Sequence, residues 1–221
     1  MSIGLDLKEA ILAVGVSINL IGRNFPSEFI RFKTNKQVTK PFIREYFQET
    51  MMSFDTNIVS GDVIEVEATG FRYLMMNKTP DLFENEVMRY GGVVYKTNVN
   101  GSLQRPTYGR GADLRKAEVF VAVPGAEAVD ALMVEALYGH SLDIDDALGE
   151  IGLEKHELYI PHRFGAKVKD RFYINENRYY RVITVKTHRY DDVDVLEIDI
   201  DTRSKESPID TVFSYSIGGV S

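Results

Sequence analysis

The sequence predicts a mainly β protein with a minor α component (α+β), built from one or two small antiparallel β-barrel or sandwich modules with a helical insertion. Two observations lead to this fold class. Short runs that alternate apolar and polar residues, bounded by glycine, asparagine or aspartate, recur along the chain and are typical of strands. The chain also holds 12 tyrosines and 12 phenylalanines but no tryptophan, and aromatic residues at this level favour strands.

The composition limits the classes of function. The chain has 221 residues, 44% of them hydrophobic, which suits one large or two small globular domains. A net charge of −7 disfavours free nucleic acid as the main partner, because phosphate contacts need clustered lysines and arginines. No apolar run approaches the roughly 20 residues of a membrane span, and no cationic segment of a secretory signal opens the chain.

The chain contains no cysteine. Disulfides, thiolate metal ligands and a cysteine nucleophile are therefore excluded. The absence is compatible with synthesis in a reducing cytoplasm.

Residues 1–100 are predicted to form an N-terminal β-rich module with a leading helix. Apolar residues at helical spacing predict that helix over residues 5–14, and segment 41–52 favours extended structure over a helix. Turns are predicted at Gly70 and at Gly91-Gly92. The predicted strands are 16–22, 29–32, 63–68, 71–77, 86–90 and 93–99.

Residues 101–156 are predicted to form a basic loop followed by a helical insertion. The stretch 100–116 is rich in glycine and proline and is the most cationic part of the chain. Its cationic residues are Arg105, Arg110, Arg115 and Lys116. The elements after the loop are a strand over 118–123, the longest helix over 125–138 with Gly139 as its C-cap, and a second short helix within 140–153.

Residues 157–221 are predicted to form a C-terminal β-module with an extended tail. The middle two of its strands are predicted to pair as a hairpin around residues 175–177. After Arg203 the sequence is polar and then small, which is typical of an extended arm. The predicted strands are 157–160, 171–174, 178–186 and 193–200.

Two stretches, residues 60–80 and 168–187, resemble each other. Each has an aspartate, an amphipathic strand, a tight turn, an aromatic-rich strand and a Lys-Thr exit, and the register differs by one residue in the turn. The aspartates, Asp62 and Asp170, precede a strand, where a carboxylate can accept hydrogen bonds from turn amides. Duplication of one module and convergence of two ordinary hairpins both explain the likeness.

A series of residues in the second stretch carries a family resemblance. An aspartate-led strand, a tyrosine-containing strand, a crossing loop and a final strand ending in an acid and an arginine follow one another at Asp170, Tyr180, Val182, Val185 and Arg203. This series resembles the small β-barrel of the head-closure, or stopper, proteins of tailed bacteriophages. Residues 62–96 also resemble proteins of phage virion gene clusters. The stopper family has shorter chains with one barrel, and residues 101–156 have no counterpart there.

The resemblance implies a non-catalytic structural subunit of a virion, placed in the neck, or head–tail connector, that joins the portal to the tail. It implies a homo-oligomeric ring with six- or twelve-fold symmetry closed by head-to-tail contacts. The implied partners are the portal or adjacent neck and tail proteins, with transient contact to packaged DNA and with no membrane and no cofactor. Such a protein is made in the host bacterial cytoplasm. A tail terminator, collar or baseplate protein is the alternative within the virion.

Two charged groups are candidate sites. The basic residues Arg105, Arg110, Arg115 and Lys116 form a solvated loop, a loop that docks on an acidic neighbour, or a DNA contact. The acids Glu197, Asp199 and Asp201 share one strand face. That face is either a charged outer face that blocks edge pairing or a negative lumen surface along which DNA slides.

Patterns for catalysis and metal binding are absent from the sequence. The acids Asp143, Asp145, Asp146 and Glu150 lack the glycine and glutamate of an EF-hand loop. The histidines form no metal-binding pattern, and His156 and His162 are predicted in a surface loop; the other two are His140 and His188. Nucleophile elbows, phosphate loops and dinucleotide fingerprints are missing.

Two alternatives come from other classes of protein. A carbohydrate- or receptor-binding β-module would use Tyr179, Tyr180 and Tyr190 as exposed platforms. A metal-dependent hydrolase would use the acids near Asp199, within the run that begins at Asp191.

Overall fold

The computed structural model describes residues 3–33, 47–110, 116–135, 156–174 and 178–201. In these ranges the chain forms one α-helix, one short 3-10 helix and thirteen strands. The helices are α1 (Ile3–Val14) and the 3-10 helix His162–Phe164. The strands are β1 (Val16–Ile21), β2 (Glu28–Lys33), β3 (Phe47–Ser53), β4 (Val63–Val66), β5 (Arg72–Phe83), β6 (Glu86–Lys96), β7 (Val99–Arg110), β8 (Lys116–Ala122), β9 (Val129–Glu135), β10 (His156–Pro161), β11 (Arg171–Ile174), β12 (Arg178–Tyr190) and β13 (Val193–Ile200).

The first six strands close into an antiparallel barrel. Their order is β1-β2-β3-β6-β5-β4, and β4 pairs back with β1. Helix α1 precedes the barrel, packs against β2, β3 and β6, and buries Ile11. The interior of this barrel is filled by Ile18, Leu20, Ile30, Met52, Ile58, Ile64, Val66, Tyr73, Met75 and Val94.

Strands β7 to β13 form a second barrel. The order of its strands is β7-β9-β10-β13-β12-β11, the pairing of β11 with β7 closes it, and β8 pairs with the far part of β7 as an added strand. Its core includes Leu103, Ala126, Val129, Ala131, Leu158, Ile160, Phe172, Tyr180, Val182, Leu196 and Ile198. The prediction of a mainly β chain with barrel modules and minor helix is confirmed.

The two barrels have one topology. Strands β1 to β6 correspond in order to β7, β9, β10, β11, β12 and β13, and β8 is the only described strand of the second barrel without a counterpart in the first. The long strand of each barrel also has a bulge at the same place, after Met75 in β5 and after Val182 in β12. A shared strand order with a shared irregularity favours duplication over convergence of two hairpins.

The barrels contact each other through apolar side chains on their outer faces. From the first barrel come Val63, Leu74 and Met76, and from the second come Val193 and Val195; each is at most 3% exposed. Hydrogen-bonded polar groups lie beside this apolar cluster. The Arg72 guanidinium is 2.9 Å from an Asp130 carboxylate oxygen, and Asn98 exchanges two 2.8 Å hydrogen bonds with the Met133 backbone.

The helix predicted over residues 125–138 is wrong for its described part. Val129–Glu135 is strand β9, which pairs with β10 and with β7. Val129 and Ala131 face the core of the second barrel, whereas Leu132 and Val134 face the first barrel. Because both faces of the strand are covered, its apolar residues do not alternate with polar ones, and the run imitates helical spacing.

The turn predicted at Gly91-Gly92 is also wrong, because β6 runs through both glycines. The chain reverses instead at Glu84 and Asn85, whose φ values are 50° and 68°. These are the backbone angles of a two-residue hairpin turn. A side chain on Gly92 would lie 2.8 Å from the Met52 methyl group and 3.1 Å from the Asn77 carbonyl oxygen. The glycine therefore gives room for the neighbouring strands.

The stretch 101–156, predicted as a loop and a helical insertion, contributes strands β7, β8 and β9 to the second barrel. The loop prediction is wrong for residues 101–110, which are paired with three other strands. Only Thr97 and Asn98 separate β6 from β7, so the barrels meet there. The predicted short helix in 140–153 and the tail after Arg203 lie outside the described residues.

The corresponding positions Met76 and Ile183 give a matched stability prediction. Met76 is 1% exposed between the barrels, whereas Ile183 is 51% exposed on the second barrel. We expect Met76→Ala to lower the free energy of unfolding by about 2–4 kcal/mol, because it leaves a cavity. Ile183→Ala should change it by less than about 0.5 kcal/mol. Urea unfolding measures both, and equal losses would contradict the barrel contact.

Candidate functional site

Each barrel has a buried aspartate in the turn before its fourth strand. Asp62 is 3% exposed and Asp170 is 1% exposed. In both turns a carboxylate oxygen accepts the backbone N–H of the residue three positions earlier, Val59 or Lys167, at 2.9 Å. The expectation that these carboxylates bind turn amides is confirmed.

The same turns are tied to the long strand of each barrel. Gly61 N–H donates to Met75 O at 2.8 Å, and Met75 N–H donates to the carbonyl of the first aspartate at 2.9 Å. Lys169 and Val182 make the same two bonds in the second barrel, at 2.9 and 2.8 Å. The residue before each aspartate has a positive φ, 80° at Gly61 and 78° at Lys169, so the two turns share one backbone conformation.

An arginine from a distant segment completes each turn. Arg23, just after β1, donates to the first carboxylate at 2.5 Å and to Asn57 O at 3.2 Å. Arg105 of β7 donates twice to the second carboxylate, at 3.1 and 2.9 Å, and to Gly165 O at 2.7 Å. Asn57 and Gly165 each lie five residues before their aspartate. A buried carboxylate is tolerated when it is paired and hydrogen-bonded in this way.

The second barrel also reaches the carboxylate of the first. Arg163 of the 3-10 helix lies 3.7 Å from Asp62. Sequence reasoning missed Arg23 and Arg163, since no motif joins them to an aspartate so far along the chain. The pairing of strands was the one signal for an arginine at each turn. Arg23 follows β1 and Arg105 lies in β7, and each of these strands pairs with the strand that follows a buried aspartate.

The predicted basic site is divided by the structure. Arg105 lies on a strand and binds Asp170, whose carboxylate raises the pKa of the guanidinium further above its usual value. Arg110 and Lys116 face each other in backbone register at the far end of the β7–β8 hairpin. Their side chains and all of Arg115 lie outside the described residues. A docking role for this hairpin stays a prediction.

The predicted acidic face contains three different environments. Glu197 pairs with Lys186 at 2.5 Å. Asp199 is half-buried and lies opposite Arg181 in the pairing of β12 with β13. Asp201 is 9% exposed. Asp201 is therefore buried whereas the other two acids are partly exposed, and a role as lumen or outer face stays a prediction.

His162 and Asp194 form an ion pair at the edge of the second barrel. Asp194 is 1% exposed and lies 2.9 Å from the His162 Nδ1, on a side chain that is itself about half exposed. The hydrogen bond and the charge of this carboxylate raise the pKa of the imidazole above its usual value. The predicted surface loop for His156 and His162 is wrong, because His156 opens β10 and His162 opens the 3-10 helix.

The histidines and acids considered for metal binding form no cluster in the described ranges. Within those ranges no three histidine, aspartate or glutamate side chains lie together as a metal site. His156 packs edge-on against the Tyr180 ring at 5.6 Å. The predicted acids between Asp143 and Glu150, His140, and the side chain of His188 lie outside the described residues.

Two of the three tyrosines named as platforms, Tyr179 and Tyr180, lie in the wall and the interior of the second barrel. Tyr180 is 4% exposed in the core of the second barrel. The Tyr179 ring stacks on Tyr173 at 4.7 Å, and the Arg171 guanidinium lies over it at 4.1 Å. The Tyr190 side chain lies outside the described residues. Burial of Tyr180 weakens the carbohydrate-platform alternative.

Comparison with protein-family models, curated proteins and solved structures finds no match to this chain. None of the helices in the described part has the length and apolar character to cross a membrane.

Removal of the arginine from the second turn tests its structural role. We expect Arg105→Ala to lower the free energy of unfolding by about 2–3 kcal/mol, because it leaves the Asp170 charge buried and unpaired. The matched control is Arg178→Ala, at an exposed position, which should cost less than about 0.5 kcal/mol. Thermal or urea unfolding measures both. Equal effects would show that Arg105 is an ordinary surface residue.

The His162 pair gives a pH prediction. The raised pKa of His162 means that its contribution to stability is full below its unfolded pKa of about 6.5 and is lost as the pH rises through the folded pKa. The difference in free energy of unfolding between the natural chain and His162→Gln should therefore shrink from about pH 6 to about pH 9. Urea unfolding across this range checks it, and a constant difference would refute the pair.

Proposed function

We propose that this chain is a non-catalytic structural subunit of a tailed-bacteriophage virion, which forms a ring in the neck between portal and tail. The observation that carries the proposal is the placement of the described stopper-like residues, Asp170, Tyr180, Val182 and Val185, in one closed barrel. Asp170 anchors the turn before β11, and Tyr180 and Val182 line the core. Residues that resemble a family motif support the resemblance more strongly when they hold one compact module together.

The arrangement of the two barrels supports a role in assembly. The first barrel uses its β4–β5 face and the second uses its β9, β10 and β13 face, so different sides of one topology meet. Such a head-to-tail contact is the kind from which rings are built when it recurs between subunits. The chain thus already contains one contact of the required type.

The projecting β7–β8 hairpin supports the choice of a docking partner. Its two strands continue past the barrel to the Arg110–Lys116 pair, and Tyr108 on the hairpin is 72% exposed. A cationic sequence beside an exposed aromatic ring suits contact with an acidic protein surface. In the proposed neck, that surface belongs to the portal or to the adjacent ring.

Binding to the portal tests the proposal. The purified chain is mixed with the portal ring encoded in the same genome and examined by native mass spectrometry and negative-stain imaging. We expect a closed ring of this chain on the portal, with weaker binding for Arg110→Glu combined with Arg115→Glu. Arg105 is left intact because it stabilises the Asp170 turn. Arg178→Glu is the control for added negative charge and should bind normally.

A natural chain that binds neither the portal nor a neighbouring neck or tail protein would refute the neck role. Normal binding by the double variant would refute docking through the hairpin and leave the ring role in place.

A further inference from the structure

The second barrel covers one side of the first barrel. The corresponding side of the second barrel is partly open to solvent in the described structure. At the positions of Val63, Leu74 and Met76 in the first barrel, the second barrel has Arg171, Arg181 and Ile183. Ile183 is 51% exposed, compared with 1% for Met76. Strand β8 covers part of this side, since the Phe120 ring lies 4.0 Å from the Arg171 guanidinium. The area around Ile183 remains open to solvent in the described structure.

Within the chain, the tip of one hairpin of the second barrel contacts the turn before Asp62 in the first barrel. The β12–β13 hairpin turns at Asp191-Asp192 and touches the Gly61 turn of the first barrel. A side chain on Gly61 would lie 2.3 Å from the Asp192 carbonyl oxygen, which also accepts the His162 N–H at 2.8 Å. The internal barrel contact therefore combines an apolar face with a hairpin tip placed on a turn.

The corresponding tip of the first barrel has no such seat in the described structure. The β5–β6 hairpin also has a two-residue turn, Glu84-Asn85. Next to the turn, Leu82 is 61% exposed and Phe83 is 48% exposed. From Val94 to the turn, β6 is three residues longer than β13 is from Ile198 to its turn, whereas β5 and β12 are equally long over the matching stretch because β12 has an irregularity between Lys186 and Tyr190. The paired part of the β5–β6 hairpin is therefore about 10 Å longer.

The open tip and the open turn are complementary. The tip carries exposed Glu84 and Glu86 beside its two apolar side chains. The turn before Asp170 carries exposed Lys167 and Lys169, with Val168 between them 54% exposed. An acidic and apolar tip is thus complementary in charge and polarity to a basic and apolar turn.

We propose that the β5–β6 tip of one copy docks on the Lys167–Asp170 turn and Ile183 of a second copy of this chain. This contact between copies has the same form as the contact within the chain, in which the hairpin tip at Asp192 lies against the Gly61 turn. It is heterologous, because each copy offers a tip on its first barrel and a turn on its second barrel, and successive contacts close a ring or extend a filament. The inference deepens the proposed ring role and rests on it for its setting.

Engineered disulfides test the contact directly. The natural chain has no cysteine, so a disulfide between a Phe83→Cys chain and a Val168→Cys chain reports only contact between copies at these positions. The matched control pairs Phe83→Cys with Val59→Cys, because Val59 is 44% exposed at the equivalent turn of the first barrel, where the internal tip already sits. We expect about tenfold more heterodimer from the first pair, since docking raises the local thiol concentration.

A charge exchange separates specific docking from random collision. Lys169→Glu should reduce self-association of the full chain, measured by sedimentation, and mixing with Glu84→Lys should restore it. High salt should weaken the natural contact, because exposed charges are screened.

Equal disulfide yields in the two cysteine pairs, or no effect of the charge variants on self-association, would overturn the proposal. This failure is distinguishable from failure of the neck role. Portal-bound rings that form through other surfaces would refute only the tip contact, and tip-to-turn disulfides in a chain that ignores the portal would refute only the neck role.

Discussion

The fold depends on one buried carboxylate in each barrel, Asp62 and Asp170. Each accepts hydrogen bonds from an amide three residues earlier and from an arginine on a distant segment. Each residue's backbone also bonds the long strand just before its bulge. A single residue thus fixes the turn, the first strand and the long strand together. Because a buried charge without its partners costs several kcal/mol, these partners must all be in place before the barrel is stable.

The two barrels have the same topology but different outer surfaces. The inner positions of both barrels are apolar, since each must fill a closed interior. The outer positions differ: Met76 is covered by the second barrel, whereas Ile183 at the same place faces solvent. The two barrels thus share the aspartate turn but differ on their outer faces. The exposed outer face of the second barrel is therefore a place where a partner can be recognised.

Part of the fold could be predicted from the sequence, because helix α1 and the strand around Tyr180 each have one buried and one exposed face. Strands β4 and β5 are covered on both faces near Gly70, and the turn at this glycine is what indicates them. Strand β9 could not be predicted, since its second face is covered by the other barrel. For the candidate site, the sequence indicated Asp170 as a turn residue and Arg105 as part of a basic loop, but not that the two form a pair. They are 65 positions apart, and the local density of charge along a sequence does not reveal such a pair.

In the second barrel, the described residues that carry the phage resemblance are buried or partly buried, and this determines what they can specify. Asp170 and Tyr180 have their contacts within the barrel, so they describe how the module is held together. They have little surface left with which to select a portal, a tail protein or a second copy. Partner choice must then reside in projecting groups such as Phe83, Tyr108 and Val168, which are between about half and three quarters exposed. A common barrel with variable tips and turns is a physical route by which one module can serve at several positions of an assembly.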